Sequence, residues 1–232
     1  MSQSSPLAER LREVDRRIAD AARAAGRDPG GVTRIVVTKF HPASLVRELS
    51  QLGVRDVGEN RQQELAAKHA ELADLDVRWH FVGQAQTKKA RAIRRAASVV
   101  HSVDRARLAD ALDAAEGDAA EVAPLDVLLQ INLTDDPARG GAEPAQIASL
   151  AEHVAGCRTL RLRGVMAVAP LDEPPASAFE RLAGYAAEVR RIVPEAEWIS
   201  AGMTGDFTEA LAAGATHLRI GTAITGNRPT RA

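Results

Sequence analysis

The sequence has 232 residues but only one cysteine, few aromatic residues and no long apolar run. A single thiol, Cys157, excludes intrachain disulfides and cysteine-only metal sites, which indicates a reducing compartment. No apolar stretch approaches the roughly 18 residues that a bilayer span requires. The N-terminus also lacks the basic-then-apolar order of a secretory signal. We therefore expect a cytoplasmic protein without a membrane partner.

Charge of either sign is not in excess, because the net charge is −1. This balance gives no bulk attraction to nucleic acid. The basic stretch 88–95 contains no aromatic residues, so we interpret it as a solvated helix face rather than a nucleic-acid site. The histidines at 41, 69, 101, 153 and 217 do not have a spacing typical of metal ligands, and we expect no metal site.

Short apolar runs alternate with amphipathic stretches of helical length along most of the chain. Ser5 and Pro6 predict the start of an N-terminal helix, because serine caps a helix and proline suits its first turn. The predicted strands are 34–38, 55–57, 78–82, 98–102, 125–132, 160–166, 197–200 and 217–220. The predicted helices between them are 43–52, 60–73, 87–96, 105–116, 143–154, 176–193 and 206–213.

This order predicts an α/β protein with a parallel sheet, because strands joined by helices run in the same direction. Eight units in about 200 residues favour a closed (β/α)₈ TIM barrel, with an open doubly wound sheet as the rival. We expect one domain over 1–232, with an N-terminal helix and loop over 1–30 and the barrel over 34–228.

Lysine is scarce, since only four of the 30 basic residues are lysines, at 39, 68, 88 and 89. Three of them fall on predicted helices, where a solvated ammonium costs nothing. Lys39 instead ends the first predicted strand, where the active sites of such barrels lie. Desolvation in a barrel mouth would lower its pKa and allow a Schiff base with an aldehyde. The alternative is a strand-end lysine whose amine reaches water.

Arg219 lies within the last predicted strand, between two apolar residues. Alternation places Leu218 and Ile220 under the helices and Arg219 inside the barrel. A buried guanidinium needs an acceptor, so Arg219 is either part of a structural ion pair or a ligand-binding residue.

Two glycine-rich turns follow the last two predicted strands, at 202–205 and 221–222. In TIM barrels the loops after strands 7 and 8 are a recurrent phosphate site, although such glycines also occur in ordinary turns. Asn60 and His80 lie near the ends of the second and third strands, where each could instead satisfy backbone groups.

Six ordered segments resemble the pyridoxal phosphate homeostasis protein family. They are Val-Thr-Lys at 37–39, Gly-Glu-Asn at 58–60, and the segments 79–83, 162–166, 202–206 and 219–224. The resemblance runs from about residue 34 to 228, and it implies a barrel of the alanine-racemase N-terminal type that binds pyridoxal 5′-phosphate (PLP). Arg61, Ala85 and Lys88 depart from the family pattern and put a partner surface near 84–89 in doubt.

The resemblance also implies the cofactor-binding residues. Lys39 would form the aldimine, a Schiff base with PLP, and Arg219 would face the pyridine nitrogen. The other implied residues are Asn60 and Met203 beside the ring, and Ser200, Thr204, Gly221 and Thr222 around the phosphate.

The function that this resemblance implies is intracellular PLP (vitamin B6) homeostasis, with PLP-dependent apoenzymes as candidate partners. Arginine favours an unprotonated ring nitrogen, which weakens carbanion stabilisation. The resembling racemases take a second base, a tyrosine, from an added domain, whereas Tyr185 here is predicted inside a barrel helix. We therefore expect PLP to be held without significant turnover and no catalytic residue.

Three alternatives stay open at this point. One is a PLP-dependent amino-acid racemase of low activity, which would use Lys39 together with a water or His80. Another is a PLP-free aldolase or isomerase that acts on a sugar phosphate through Lys39. The third is an interaction scaffold.

Overall fold

The computed structural model describes residues 5–116 and 123–227, and its centre is a closed barrel of eight parallel strands. Each strand pairs with the next one in the chain, and the last pairs with the first. The strands are β1 (Thr33–Val37), β2 (Asp56–Glu59), β3 (Arg78–Phe81), β4 (Val99–Val103), β5 (Leu125–Gln130), β6 (Leu160–Met166), β7 (Trp198–Ser200) and β8 (His217–Ile220). The predicted TIM barrel is therefore confirmed, with every strand within a few residues of its expected position.

Helices follow the strands and enclose the barrel. They are α1 (Pro6–Ala24), α2 (Ala43–Gln51), α3 (Gln62–Glu71), α4 (Ala90–Arg94), α5 (Ala106–Asp113), α6 (Ile147–Ala155), α7 (Pro175–Ile192), α8 (Phe207–Ala212) and α9 (Thr222–Thr225). The short α9 was not predicted, because four residues are too few to show a periodic pattern. Within the described residues, no helix is both long enough and apolar enough to cross a membrane.

The predicted N-terminal helix is confirmed, including its first turn. The Ser5 hydroxyl accepts a hydrogen bond from the Ala8 N–H at 3.2 Å, and Pro6 is the first helical residue. The buried face of α1 packs on α8 and α9, so this extra helix lies beside the last units of the barrel. Residues 1–4, 117–122 and 228, which belong to the predicted segments 1–30 and 34–228, lie outside the described residues.

Apolar residues form a large layer between the strands and the helices and a small cluster within the barrel. Leu218 and Ile220 belong to the outer layer, as the alternation of β8 predicts. Val99, Leu128 and Met166 form the inner cluster. Since so few apolar side chains fill the interior, polar side chains occupy much of the rest.

The contact between β6 and β7 requires a glycine at position 164, where φ is 148°. A Cβ there would lie 1.9 Å from the Trp198 carbonyl oxygen. We predict that Gly164→Ala lowers the free energy of unfolding by about 3 kcal/mol or more, because the two strands must separate.

Gly184→Ala is the matched control, since Gly184 lies in α7 and a Cβ there would meet nothing within 4 Å. It should raise stability by about 0.5–1 kcal/mol. Urea unfolding measures both variants. Equal stability of Gly164→Ala and the wild type would contradict the close approach of the strands.

Candidate functional site

The predicted site residues lie at the carboxyl ends of four strands or just beyond them. Lys39 follows β1, Asn60 follows β2, and the others belong to β7, β8 and the turns after these strands. A closed parallel barrel brings these strand ends to one rim, which is where ligands bind in this architecture. The fold therefore places all the predicted residues at the same end of the molecule.

Lys39 is exposed, and its Nζ lies 6.0 Å from the centre of the Phe40 ring. The predicted desolvation of this amine is not observed. Its accessibility instead leaves the amine free to meet a ligand at the rim. Phe40, the next residue, has a φ of 68°, a left-handed conformation that is uncommon outside glycine.

Arg219 is buried inside the barrel, as predicted, and it donates to the ends of the neighbouring strands. Its guanidinium donates from one terminal nitrogen to the Ser200 carbonyl and hydroxyl oxygens, both at 2.7 Å. The other terminal nitrogen donates to the Ala167 carbonyl at 2.7 Å. Among the described residues, no carboxylate forms an ion pair with Arg219, and no residue accepts a hydrogen bond from its Nε. Arg219 is therefore held by neutral acceptors rather than by an ion pair.

A line of hydrogen bonds leads from Arg219 through the barrel interior. The Ser200 hydroxyl contacts His101 Nδ1 at 2.9 Å, and His101 Nε2 contacts His80 Nδ1 at 2.9 Å. His80 Nε2 contacts Asp56 Oδ1, also at 2.9 Å. We call Arg219, Ser200, His101, His80 and Asp56 the interior relay.

When both histidines are neutral, the two ends of the interior relay fix the direction of every hydrogen bond in it. Arginine can only donate, and an ionised carboxylate can only accept. His80 therefore donates from Nε2 to Asp56 and accepts at Nδ1 from His101 Nε2. His101 in turn accepts at Nδ1 from the Ser200 hydroxyl, which accepts from Arg219. Both histidines are neutral in this arrangement and carry the proton on Nε2.

Burial supports this neutral state of the histidines. Burial lowers the pKa of His80, and it lowers that of His101 well below its usual range, where the nearby charge of Arg219 lowers it further. Burial also lowers the pKa of His217 to about 3. The same effect lowers the pKa of Arg219 to about 10, so the guanidinium stays charged at neutral pH.

The turn after β7 is tightly built. Gly202 has a φ of 90°, and a Cβ there would lie 2.8 Å from Ala210, so the turn requires glycine. The Met203 N–H donates to Asp206 Oδ1 at 2.6 Å, and the Arg219 N–H donates to the Gly202 carbonyl at 2.9 Å. These bonds hold the turn against β8.

The predicted ring and phosphate residues are partly open to a ligand. Met203 and Thr222 are exposed, whereas Thr204 and Gly221 are half-buried. Ser200 differs from them, since its hydroxyl is already engaged by Arg219 and His101. The structure thus places Ser200 as a partner of Arg219.

Asn60, which follows β2, offers a further acceptor. Its Oδ1 is buried and has no hydrogen-bond partner among the described residues. The backbone at Gly83 lies directly against the main chain of Asn60, since a Cβ at Gly83 would be 2.0 Å from the main-chain carbonyl oxygen of Asn60. A buried acceptor without a partner is costly, which suggests that a ligand satisfies it.

Residues 11–229 match the family model described as alanine racemase, N-terminal domain. The pyridoxal phosphate homeostasis protein of Pseudomonas aeruginosa is 43% identical over 228 residues, covering 97% of this chain and 96% of the relative. The chain belongs to the pyridoxal phosphate homeostasis protein family. The resemblance carried by the six sequence segments is thereby confirmed.

Solved structures of similar proteins agree with this membership. PipY of Synechococcus elongatus, solved with PLP bound, has a TM-score of 0.81 and 34% identity, covering 95% of this chain and 100% of PipY. Alanine racemase of Corynebacterium glutamicum has a TM-score of 0.66 at 17% identity, covering 94% of this chain and 59% of the racemase. The second similarity shows the fold that the homeostasis family shares with the racemase.

Three features of the structure were not predicted from the sequence. Lys68 is buried at 6% exposure, so the prediction that it is solvated was wrong. His80 and His101 meet inside the barrel, which the inward positions of adjacent strands could have indicated. Loops after β5 and β6 also border a cleft of about 680 Å³ that Arg139, Arg181 and Tyr185 line, away from the turns after β7 and β8.

A group of possible metal ligands was also not foreseen. Ligand atoms of Asp110, His153 and Cys157 lie within 4.8 Å of one another on α5, α6 and the loop after α6. Asp110 and His153 are exposed and bonded to each other at 2.6 Å. Since an exposed pair of this kind is satisfied without an ion, proximity alone assigns no metal here.

The buried neutral histidines predict a loss of stability in acid. His80, His101 and His217 have folded-state pKa values below the usual 6.5, so below that pH the unfolded chain binds more protons than the folded one. For His217 the loss extends from pH 6.5 down to about pH 3. Each such histidine steepens the fall in unfolding free energy by about 1.4 kcal/mol per pH unit.

Urea unfolding between pH 7.5 and pH 5 measures this slope. His217→Gln should reduce the slope by about one proton. A slope that is the same in the wild type and in His217→Gln would contradict a neutral buried His217.

Proposed function

We propose that this chain binds PLP at the barrel rim and takes part in PLP homeostasis, with Lys39 as the covalent attachment point. The observation that carries the proposal is an accessible lysine amine on the rim that also carries Arg219, a buried cation with donor capacity left. The names of the relatives and the PLP-bound PipY structure support the same cofactor.

The residues at the rim fit this ligand. When bound, PLP supplies an aldehyde, with which a primary amine condenses with loss of one water, and an electron-withdrawing pyridine ring. Lys39 offers the amine, and the free Nε–H of Arg219 offers a donor toward a ring nitrogen. The turns that contain Thr204 and Thr222 offer backbone N–H groups and hydroxyls to the phosphate.

Arg219 favours holding the ligand over turnover. It is charged at neutral pH and has only donors, so it stabilises an unprotonated ring nitrogen, and the ring then withdraws electrons weakly. The interior relay reinforces this role. Each of its other members already accepts a hydrogen bond from the member next to it in the direction of Arg219. No member is left to pass a proton toward the ring.

The candidate second bases are poorly placed for racemase-type chemistry. Both ring nitrogens of His80 are engaged inside the barrel, so this residue is removed from the rim. Tyr185 belongs to α7 and lines the cleft after β5 and β6. These positions support a protein that holds PLP without turnover. The exchange of PLP with acceptor apoenzymes and the cytoplasmic location expected from the sequence stay predictions.

Spectroscopy of the purified protein tests Lys39 directly. We expect a yellow protein whose visible absorption band is trapped by borohydride as a modification of Lys39. Lys39→Ala should lose the band, because no primary amine is left at the attachment point. Lys88→Ala, which removes an exposed lysine near α4, is the matched control and should keep it.

Two results would overturn this proposal. A band of full strength in Lys39→Ala would place the covalent attachment elsewhere. Racemisation or transamination of amino acids by the wild type, absent in Lys39→Ala, would favour a PLP-dependent enzyme over a holding protein. A panel of amino acids incubated with the PLP-loaded protein tests the second point.

The phosphate assignment is tested with Thr222→Val, which removes an exposed hydroxyl and keeps the shape of the side chain. We expect the Kd for PLP to rise at least about tenfold, because a hydrogen bond to a charged group contributes about 1.5–3 kcal/mol. The Kd for pyridoxal, which lacks the phosphate, should not change. Thr208→Val, an exposed substitution on α8, is the control. Equal weakening of both ligands would mean that Thr222 does not contact the phosphate.

A further inference from the structure

The peptide units on both sides of Lys39 are held by a single helix. Lys68 Nζ, on α3, donates to the Thr38 carbonyl oxygen at 2.9 Å, which belongs to the peptide unit before Lys39. Glu64 Oε2, also on α3, accepts from the Phe40 N–H at 2.8 Å, which belongs to the peptide unit after Lys39. Positions 64 and 68 are four apart, so they share one face of the helix.

Glu59 completes the group by fixing Lys68. Its Oε1 lies 2.5 Å from Lys68 Nζ and also accepts from the Thr38 hydroxyl at 2.6 Å. Glu59 is fully buried and Lys68 is 6% exposed, so both charges are removed from water. We call Glu59, Glu64 and Lys68 the α3 clamp.

Stability alone gives a poor account of this buried pair. Burial raises the pKa of the Glu59 carboxyl, which reflects the cost of keeping it charged there. Its second oxygen, Oε2, has no hydrogen-bond partner among the described residues. Apolar side chains of similar volume are often as stabilising as a buried ion pair, or more so. What the pair does achieve is to hold one particular carbonyl, that of Thr38.

The backbone that the clamp holds is itself strained. Phe40 has a φ of 68°, a left-handed conformation that is unfavourable for a residue with a Cβ. Such a conformation persists only where surrounding contacts fix it. The Glu64 contact to Phe40 N–H is one of these, and the turn bond from His41 N–H to the Thr38 carbonyl at 3.1 Å is another.

We infer that the α3 clamp is a positioning device, which fixes the backbone on both sides of Lys39 so that its amine meets the aldehyde of a ligand at the rim. This inference rests on the proposed function of Lys39. The clamp residues contact the main chain of the neighbouring residues, so they act through Lys39 and not on the ligand.

Two ligands distinguish a clamp that positions Lys39 from a clamp that supports ligand binding in general. PLP carries the phosphate, the ring and the aldehyde, whereas pyridoxine 5′-phosphate has an alcohol in place of the aldehyde and cannot condense with an amine. If the clamp positions Lys39, Glu64→Ala should raise the Kd for PLP about tenfold and slow formation of the visible band, since small misplacements are costly in covalent steps. The Kd for pyridoxine 5′-phosphate should change less than about twofold.

Matched variants sharpen this comparison. Glu64→Gln keeps an acceptor for the Phe40 N–H and should restore most of the PLP affinity. Gln63→Ala, on the exposed side of α3, should behave as the wild type. The double variant Glu59→Gln/Lys68→Met removes both buried charges together and should reproduce the Glu64→Ala pattern. If the double variant does not fold, Glu64→Ala and Glu64→Gln decide the matter alone.

Lys39→Ala is measured in parallel, so that the two hypotheses fail separately. A visible band in Lys39→Ala would overturn the proposed function. Loss of the band in Lys39→Ala together with unchanged PLP binding in Glu64→Ala would overturn only the clamp. Equal weakening of PLP and pyridoxine 5′-phosphate in Glu64→Ala would likewise overturn it, because α3 would then support the rim as a whole.

Discussion

A charged guanidinium inside a barrel must have acceptors, and much of the interior of this protein follows from that requirement. Arg219 receives three, from the Ser200 carbonyl, the Ser200 hydroxyl and the Ala167 carbonyl. None of these acceptors is charged, so none of them neutralises the cation. The one carboxylate in the interior relay lies at its far end, where Asp56 accepts a hydrogen bond from His80.

The two buried polar groups lie on opposite sides of the sheet. The interior relay lies inside the barrel and ends at Arg219, whereas the α3 clamp lies between the strands and α3 and ends at the Thr38 carbonyl. Strand alternation explains the separation, because Gly58 faces inward and its neighbour Glu59 faces α3. One group therefore sets the charge at the rim, and the other sets the backbone that carries Lys39.

Much of this could be predicted from the sequence. The strands were recognisable because β-branched runs recur between helical stretches, and Arg219 was placed inside because Leu218 and Ile220 needed to face outward. The site residues implied by the family resemblance stay predictions, and they lie at one end of the molecule because a parallel barrel collects its strand ends at one rim.

Other features depended on packing that the sequence does not encode locally. The burial of Lys68 follows from how α3 docks on β2 and β3, and nothing in its helical neighbours distinguishes it from a solvated lysine. The grouping of Asp110, His153 and Cys157 likewise requires two helices to meet. The exposure of Lys39 follows from the turn at Phe40, whose left-handed φ is not a property of the phenylalanine itself.

The fixed direction of the interior relay constrains how this protein can diverge. Replacing His101 by an apolar residue would leave the Ser200 hydroxyl without its acceptor and His80 Nδ1 without its donor. Both groups would then be buried in a space closed to water. A substitution at one member of the interior relay is therefore tolerated only when the neighbouring member changes as well. In lineages descended from this sequence, Ser200, His101, His80 and Asp56 should be inherited or lost as a block.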